Sequence, residues 1–326
     1  MNLINARCPA PPELVESDHT GDDFQSAVVA GLGLPQKRIP SKFFYDAAGS
    51  RLFDAICELP EYYPTRSEVS VLAAHAAEIA ALAGPGVSLV EFGSGSSVKV
   101  RLLLDAMPVP AAYLPVDISR EHLLAAARRL AADYPAVPVV PVCADYTRPF
   151  ELPAVRGERS RVGFFPGSTI GNFSRDEAKG FLESVAGDLG RGAGLLIGVD
   201  LRKDPVILHA AYNDAAGVTA RFNLNLLARA NRELGANFEL DAFAHDARWL
   251  EDEGRIEMHL VARRAQTVTV GGRGFAFARG ESIHTEDSHK YTVGEFQALA
   301  AAAGWTPAAC WTDEKDLFSV HWLAVG

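Results

Sequence analysis

From about residue 66 onward, short apolar runs alternate with longer segments whose apolar positions recur every three or four residues. That alternation predicts parallel strands covered by helices. Residues 68–82, rich in Ala and Leu, read as a helix. Val87-Ser-Leu-Val-Glu91 reads as a strand ending at glycines, and residues 98–107 as the helix that follows. Further strands are expected at 111–116, 137–143, 161–165 and 194–199, with helices at 120–132 and 176–189. After Asp200 the rhythm changes: residues 205–234 form a long helical stretch interrupted near Gly217, and 238–277 alternate in a strand-like way. Past Lys290 a helix at 293–303 leads into two strands, 305–311 and 317–325, joined by Thr-Asp-Glu-Lys-Asp. So short a turn makes the pair antiparallel, because a parallel pair needs a crossover of about a dozen residues.

The pattern places the chain in the α/β class with two lobes. Residues 67–202 and 291–326 are expected to form a Rossmann-like domain, and residues 21–66 and 203–290 a second, α+β lobe. Residues 1–20, with Pro9, Pro11 and Pro12, read as a poorly ordered lead-in. At 326 residues, 48% of them hydrophobic and 22% charged, the chain fills such cores without difficulty.

Charge narrows the partners. With 31 Lys and Arg against 41 Asp and Glu, the formal charge of -10 repels polyanions, so nucleic acid is not expected. Cys8, Cys57, Cys143 and Cys310 are scattered without CxxC or Cys/His ligand spacing, which predicts reduced thiols, no disulfide framework and no metal site. No basic stretch followed by an apolar one opens the chain, and apolar runs stop short of a membrane span. The expectation is a cytoplasmic protein without membrane partners, working as a monomer.

The candidate chemistry starts at Glu91-Phe-Gly93-Ser94-Gly95, a turn leaving a strand and entering a helix. Glycines there let a ligand approach the backbone. By itself the turn is a weak sign, with Val98 where a third glycine of the dinucleotide fingerprint would stand. Asp117 and Asp145 fall at the ends of the next two strands, the crevice positions of a doubly wound sheet. Asp117 can accept both ribose hydroxyls, Asp145 can accept from an adenine amino group, and Tyr146 can line the ring. Lys99 can approach a ligand carboxylate. A nicotinamide enzyme shares the turn and the first acid. The incomplete fingerprint and the antiparallel C-terminal hairpin favour S-adenosylmethionine, through likeness to the reversed last strand of class I methyltransferases.

Segments outside the alternating core carry more polar and aromatic residues than packing requires. They include Phe-Tyr45-Asp-Ala-x-Gly-Ser, Leu-Pro-Glu-Tyr62-Tyr-Pro-Thr-Arg, Gly-Ser-Thr169-Ile-Gly-Asn172, Ala-Tyr212-x-Asp-Ala-Ala-Gly-Val-Thr and Arg-Ile-Glu-Met258. In order and spacing, from about Pro35 to the C-terminus, these blocks resemble the histidine-specific N-alpha-methyltransferases of ergothioneine biosynthesis. The resemblance implies that S-adenosylmethionine is bound through Gly93, Ser94, Gly95, Lys99, Asp117, Asp145 and Tyr146. It implies L-histidine as substrate, trimethylated to hercynine. Tyr62, Asn172 and Tyr212 would hold the carboxylate, and Tyr45, the catalytic candidate, would lie close to the amine. Glu286 and Ser288 would bind the imidazole, with Met258 packing on the ring and Phe53 and Thr169 completing the pocket. His289 and Pro166 depart from the family's pattern without replacing a presumed contact.

Residue chemistry agrees: Glu286 can accept from one ring nitrogen and Ser288 can donate to the other, reading a neutral imidazole from both sides. A competing reading pairs Glu286 with Lys290 four residues on, on a helical surface. Tyr62 and Tyr212 could be core residues, and Asn172 a helix cap. At the level of function, a methyltransferase for another amino acid such as tryptophan, or a non-catalytic binder of S-adenosylmethionine or an amino acid, stays open at this point.

Overall fold

The computed structural model describes residues 12, 14–16, 24–95, 98–108, 110–148 and 150–325. Eight strands form one sheet in the order Val15–Glu16, Val142–Cys143, Ala112–Asp117, Val87–Phe92, Ser160–Phe165, Gly194–Asp200, Phe318–Val325 and Trp305–Thr312. The first six run parallel to one another, and Phe318–Val325 is antiparallel to both Gly194–Asp200 and Trp305–Thr312, the latter as the short turn between them requires. Every residue of Val87–Phe92 and of Gly194–Asp200 is buried. A near-continuous apolar run is what a strand covered on both faces needs. Two apolar cores fill the two faces, one around Val90, Phe165 and Phe181, the other around Leu89, Leu103 and Trp322. Strand order reverses at Val87–Phe92, so the carboxyl ends beside it frame a crevice.

The strand predicted at 137–143 shrinks to Val142–Cys143 and a single bridge from Val139 to Tyr113. Pro138 and Pro141 explain this, because neither has an N–H for the ladder. Val15–Glu16 pairs alongside Val142–Cys143, so these two residues of the lead-in expected to be poorly ordered belong to the sheet. Apart from Pro12 and Leu14, the rest of the lead-in, Cys8 included, lies outside the described residues.

The second lobe packs the helices Phe24–Leu32, Ala47–Cys57, Pro205–Tyr212 and Val218–Leu234 on a four-stranded sheet ordered Lys37–Arg38, Ser282–His289, Arg255–Ala262, Phe243–Leu250. Its core draws on residues between 24 and 63 and between 208 and 283. Gly217, at φ 65°, makes the expected break between the last two helices. The helix Tyr63–Ala83 begins earlier than predicted, with Pro64 in its first turn, where a missing N–H costs nothing. Tyr63 belongs to the second lobe's core and Val71 to the large sheet's, so the expected join at 66/67 falls inside one continuous helix. The inserted segment leaves at Leu201 and returns at Tyr291, and these two residues form a bridge. Among the described residues, no helix is long and apolar enough to cross a membrane.

Candidate active site

A cleft of about 300 Å³ opens where the carboxyl ends of the parallel strands face the second lobe. It is lined by all of the predicted site residues except Ser94 and Asp145.

On the sheet side, Gly93 sits at φ 77° and its N–H donates to the Val116 carbonyl at 2.8 Å, tying the turn to the neighbouring strand. A side chain there would hold a left-handed conformation facing the Tyr146 hydroxyl. Behind it the buried Ser94 hydroxyl has no partner among the described residues; Ser96 and Ser97 lie outside them. Asp117 accepts the Ser119 N–H at 2.8 Å, and burial raises its carboxyl above the usual range. Tyr146 stands edge-on to Phe165 and Phe92, which fixes the plane of its ring. Asp145 is set back from the wall. Burial opposes its charge, but the Thr147 hydroxyl and N–H, at 2.5 and 3.0 Å, and Lys42 at 3.3 Å hold it below its usual range. Lys99 lines the cleft already paired, 2.5 Å from the buried Glu68, which also accepts the Gly167 N–H. An orphaned hydroxyl, an open glycine turn where a Cβ on Gly95 would meet nothing within 4 Å among the described residues, and an acid on the next strand fit a nucleoside-bearing cofactor.

The opposite wall is aromatic. Tyr45 lies edge-on to Phe53 at 5.6 Å between ring centres and to Phe222 at 5.8 Å, and Phe53 meets Tyr62 at 6.3 Å. Burial, reinforced by the charge of Glu286, raises the Tyr45 phenol well above its ordinary value, so it stays protonated. The side-chain polar atoms of Tyr45, Tyr62, Asn172 and Glu286 have no hydrogen-bond partner among the described residues. Asn172 is not a cap: it closes the 3-10 turn Thr169–Asn172, and the next helix is capped by Ser174 in a capping box with Glu177. Thr169 is spoken for by the Pro166 carbonyl at 3.0 Å.

Glu286 is set by a β-bulge. The strand Ser282–His289 slips by one residue between His284 and Glu286, and Glu286 then pairs across from Met258. Thr285 anchors the slip by donating to the Met258 carbonyl at 3.0 Å. Alternation from there sends Glu286 and Ser288 to the cleft and Asp287 to the far face. Burial pushes the Glu286 carboxyl up to about 8, outweighing the pull of Lys290.

The helical Glu286–Lys290 pairing does not occur, because this segment is a strand and Lys290 goes elsewhere. Its ammonium, 1% exposed, lies 2.7 Å from Asp200 and 2.8 Å from both the Tyr212 and the Ser288 hydroxyls, which are themselves 2.7 Å apart. Asp200 also accepts from Tyr63 at 2.8 Å and pairs with Lys203 at 2.5 Å. Although burial opposes the charge of Lys290, Asp200 and Tyr212 hold its pKa above the ordinary value. Ser288, expected to face the imidazole as a free donor, is therefore part of a closed hydrogen-bonded group.

Asp200 and Phe222 were not singled out from the sequence, and Lys290 entered only as a surface partner of Glu286. Asp200 ends its strand as Asp117 does, and that signal could have found it. Phe222 reads as one apolar position in a helical period, and Lys290 as a surface charge.

The histidine-specific, S-adenosylmethionine-dependent methyltransferase family model matches residues 24–325. The chain is 45% identical over 314 residues to a histidine N-alpha-methyltransferase of Mycolicibacterium smegmatis, covering 95% of this chain and 97% of that one. It is 43% identical over 319 residues to a protein of the same description from Mycobacterium tuberculosis, covering 94% and 98%. An ergothioneine biosynthesis protein 1 of Neurospora crassa is 32% identical over 298 residues, which is 88% of this chain and 33% of that one. The chain belongs to the histidine-specific, S-adenosylmethionine-dependent methyltransferase family.

Proposed function

We propose that this member of the family transfers the methyl group of S-adenosylmethionine to the α-amino nitrogen of L-histidine, three times in succession, giving hercynine in ergothioneine biosynthesis. The observation that carries the reading is one cleft with two dissimilar walls: the glycine turn and Asp117 on one, and the unpartnered Tyr62, Asn172 and Glu286 on the other. Residues 67–202 and 291–326 form the cofactor half, and 21–66 and 203–290 the histidine half. In this reading the protein acts as a monomer.

S-adenosylmethionine, when bound, supplies an electrophilic methyl group on a sulfonium that departs as a neutral thioether. Gly93, Ser94, Gly95 and Lys99 would hold its amino-acid end, Asp117 its ribose, and Asp145 and Tyr146 its adenine. Because the leaving group needs no proton, the protein's task is to fix two reactants in line. Tyr62, Asn172 and Tyr212 donate to the histidine carboxylate. Glu286 and Ser288 bind the imidazole, while Met258, Phe53 and Thr169 close around the side chain. Tyr45 does not act as a base, since its phenol stays protonated. Its oxygen can accept from an amine N–H and so aim the nitrogen lone pair, while the amine loses its proton to solvent. The aromatic faces of Tyr45, Phe53 and Phe222 favour the growing cation.

Incubating the purified protein with S-adenosylmethionine and L-histidine and following products by mass spectrometry tests the proposal. Mono-, di- and trimethylated histidine are expected in sequence. Tight binding of both compounds with no methylated product would instead mark a sensor.

A further inference from the structure

We propose that Lys290 is a positioning residue that turns Tyr212 and Ser288 into a coupled pair, one donor and one acceptor, facing the substrate. The inference rests on the histidine site proposed above. It follows from counting protons. An ammonium has three N–H donors and no acceptor. Those of Lys290 reach Asp200 at 2.7 Å and the oxygens of Tyr212 and Ser288 at 2.8 Å each. Both hydroxyl oxygens therefore accept, and the 2.7 Å contact between them consumes one of their two protons. One proton is left to point into the cleft.

Two arrangements satisfy that count. If Tyr212 donates to Ser288, it has nothing to offer a carboxylate, which only accepts. If Ser288 donates to Tyr212, the Tyr212 proton is free for the substrate carboxylate and Ser288 keeps one lone pair for a ring N–H. A neutral imidazole has one N–H and one bare nitrogen. Ser288 then takes the N–H, and Glu286, whose carboxyl is pushed up to about 8, donates its own proton to the bare nitrogen. This reverses the polarity expected from the sequence, where Glu286 accepts and Ser288 donates. Lys290 is what limits the pair to these two arrangements: without its N–H donors each oxygen regains an open lone pair, and the hydroxyls, still in contact, are free to turn their protons elsewhere. Asp200 keeps Lys203 and Tyr63 when Lys290 is removed, so the carboxylate is not stranded.

The test is Lys290→Met, a linear uncharged side chain, in the full-length protein. Steady-state kinetics with L-histidine and S-adenosylmethionine are combined with calorimetry of S-adenosylhomocysteine. A rise in KM for histidine of about 10- to 100-fold is expected, with kcat changed by less than about threefold and S-adenosylhomocysteine affinity by less than about twofold. A folded variant with histidine KM unchanged, or one in which both ligands weaken in parallel, overturns the proposal. If the variant does not fold, the cycle of Tyr212→Phe and Ser288→Ala decides. The double variant is expected to fall short of the product of the single losses by at least about fivefold, as members of one hydrogen-bonded group do. Losses that simply multiply overturn the coupling. Failure of the parent protein to bind histidine in the presence of S-adenosylhomocysteine would overturn the functional reading itself, and is seen before any variant is made.

Discussion

Glu286 is half-buried, faces the cleft and has no hydrogen-bond partner among the described residues, and such a group is held at a cost in stability until a ligand completes it. Its folded pKa of about 8 lies above that of an unfolded carboxyl, so the free folded protein holds a proton that the unfolded chain releases. The stability associated with that proton is present below the usual carboxylate range and is lost as pH rises toward about 8. Thermal unfolding of the ligand-free protein should therefore show a midpoint falling over this window, and Glu286→Gln should make the fall shallower. Glu91, pushed up to about 7 by burial, adds to the same slope, so it will not vanish. An unaltered slope in the variant would mean that Glu286 ionises as an exposed carboxyl does. On the catalytic side, Glu286→Ala should lower kcat/KM for histidine by at least about 100-fold while leaving S-adenosylhomocysteine affinity alone, because a site built to pair with ring nitrogens loses its reader. Asp117→Ala should do the converse and weaken S-adenosylhomocysteine by about 10- to 100-fold in calorimetry. Glu286 and Asp117, both on the cleft wall, were reached from the sequence, Glu286 through the family resemblance and Asp117 through its place at a strand end. Lys290 was not, because its partners Asp200 and Tyr212 reach it only through the return of the chain beside Leu201.

Among the elements, the Thr169–Asn172 turn and the Ser282–His289 strand depend on close approach. A Cβ on Gly171 would sit 2.8 Å from the His289 carbonyl oxygen, and the backbone there has no room to yield. Gly171→Ala should push the turn carrying Asn172 off the strand carrying Ser288, costing about 1–3 kcal/mol in stability. It should also raise the KM for histidine, which kinetics at fixed S-adenosylmethionine can read. An unchanged KM would separate the turn from substrate binding. The alternation of strands and helices in the large sheet was legible because continuous apolar runs mark strands covered on both faces and a period of 3.6 marks helices covered on one. The shortened strand at Val142–Cys143 depends on Pro138 and Pro141, a local veto that hydrophobicity alone passes over. The β-bulge that aims Glu286 leaves no mark in the residue pattern, since it is a matter of register with the neighbouring strand.

Taken as a whole molecule, the protein brings segments more than 200 residues apart, Tyr45 and Glu286 among them, onto one cleft. Local periodicity cannot convey that; the spaced motif blocks could, because they resemble a family in which the same blocks converge. The central claim concerns the choice of histidine at that cleft, and the measurement that tests it most directly is competition. The purified protein is given limiting S-adenosylmethionine with an equimolar mixture of L-histidine, L-tryptophan and L-tyrosine, and methylated products are counted by mass spectrometry. The account predicts that methyl groups go to histidine by at least about 100-fold over either aromatic competitor, ending in the trimethylated product. Preferential methylation of tryptophan or tyrosine would contradict it.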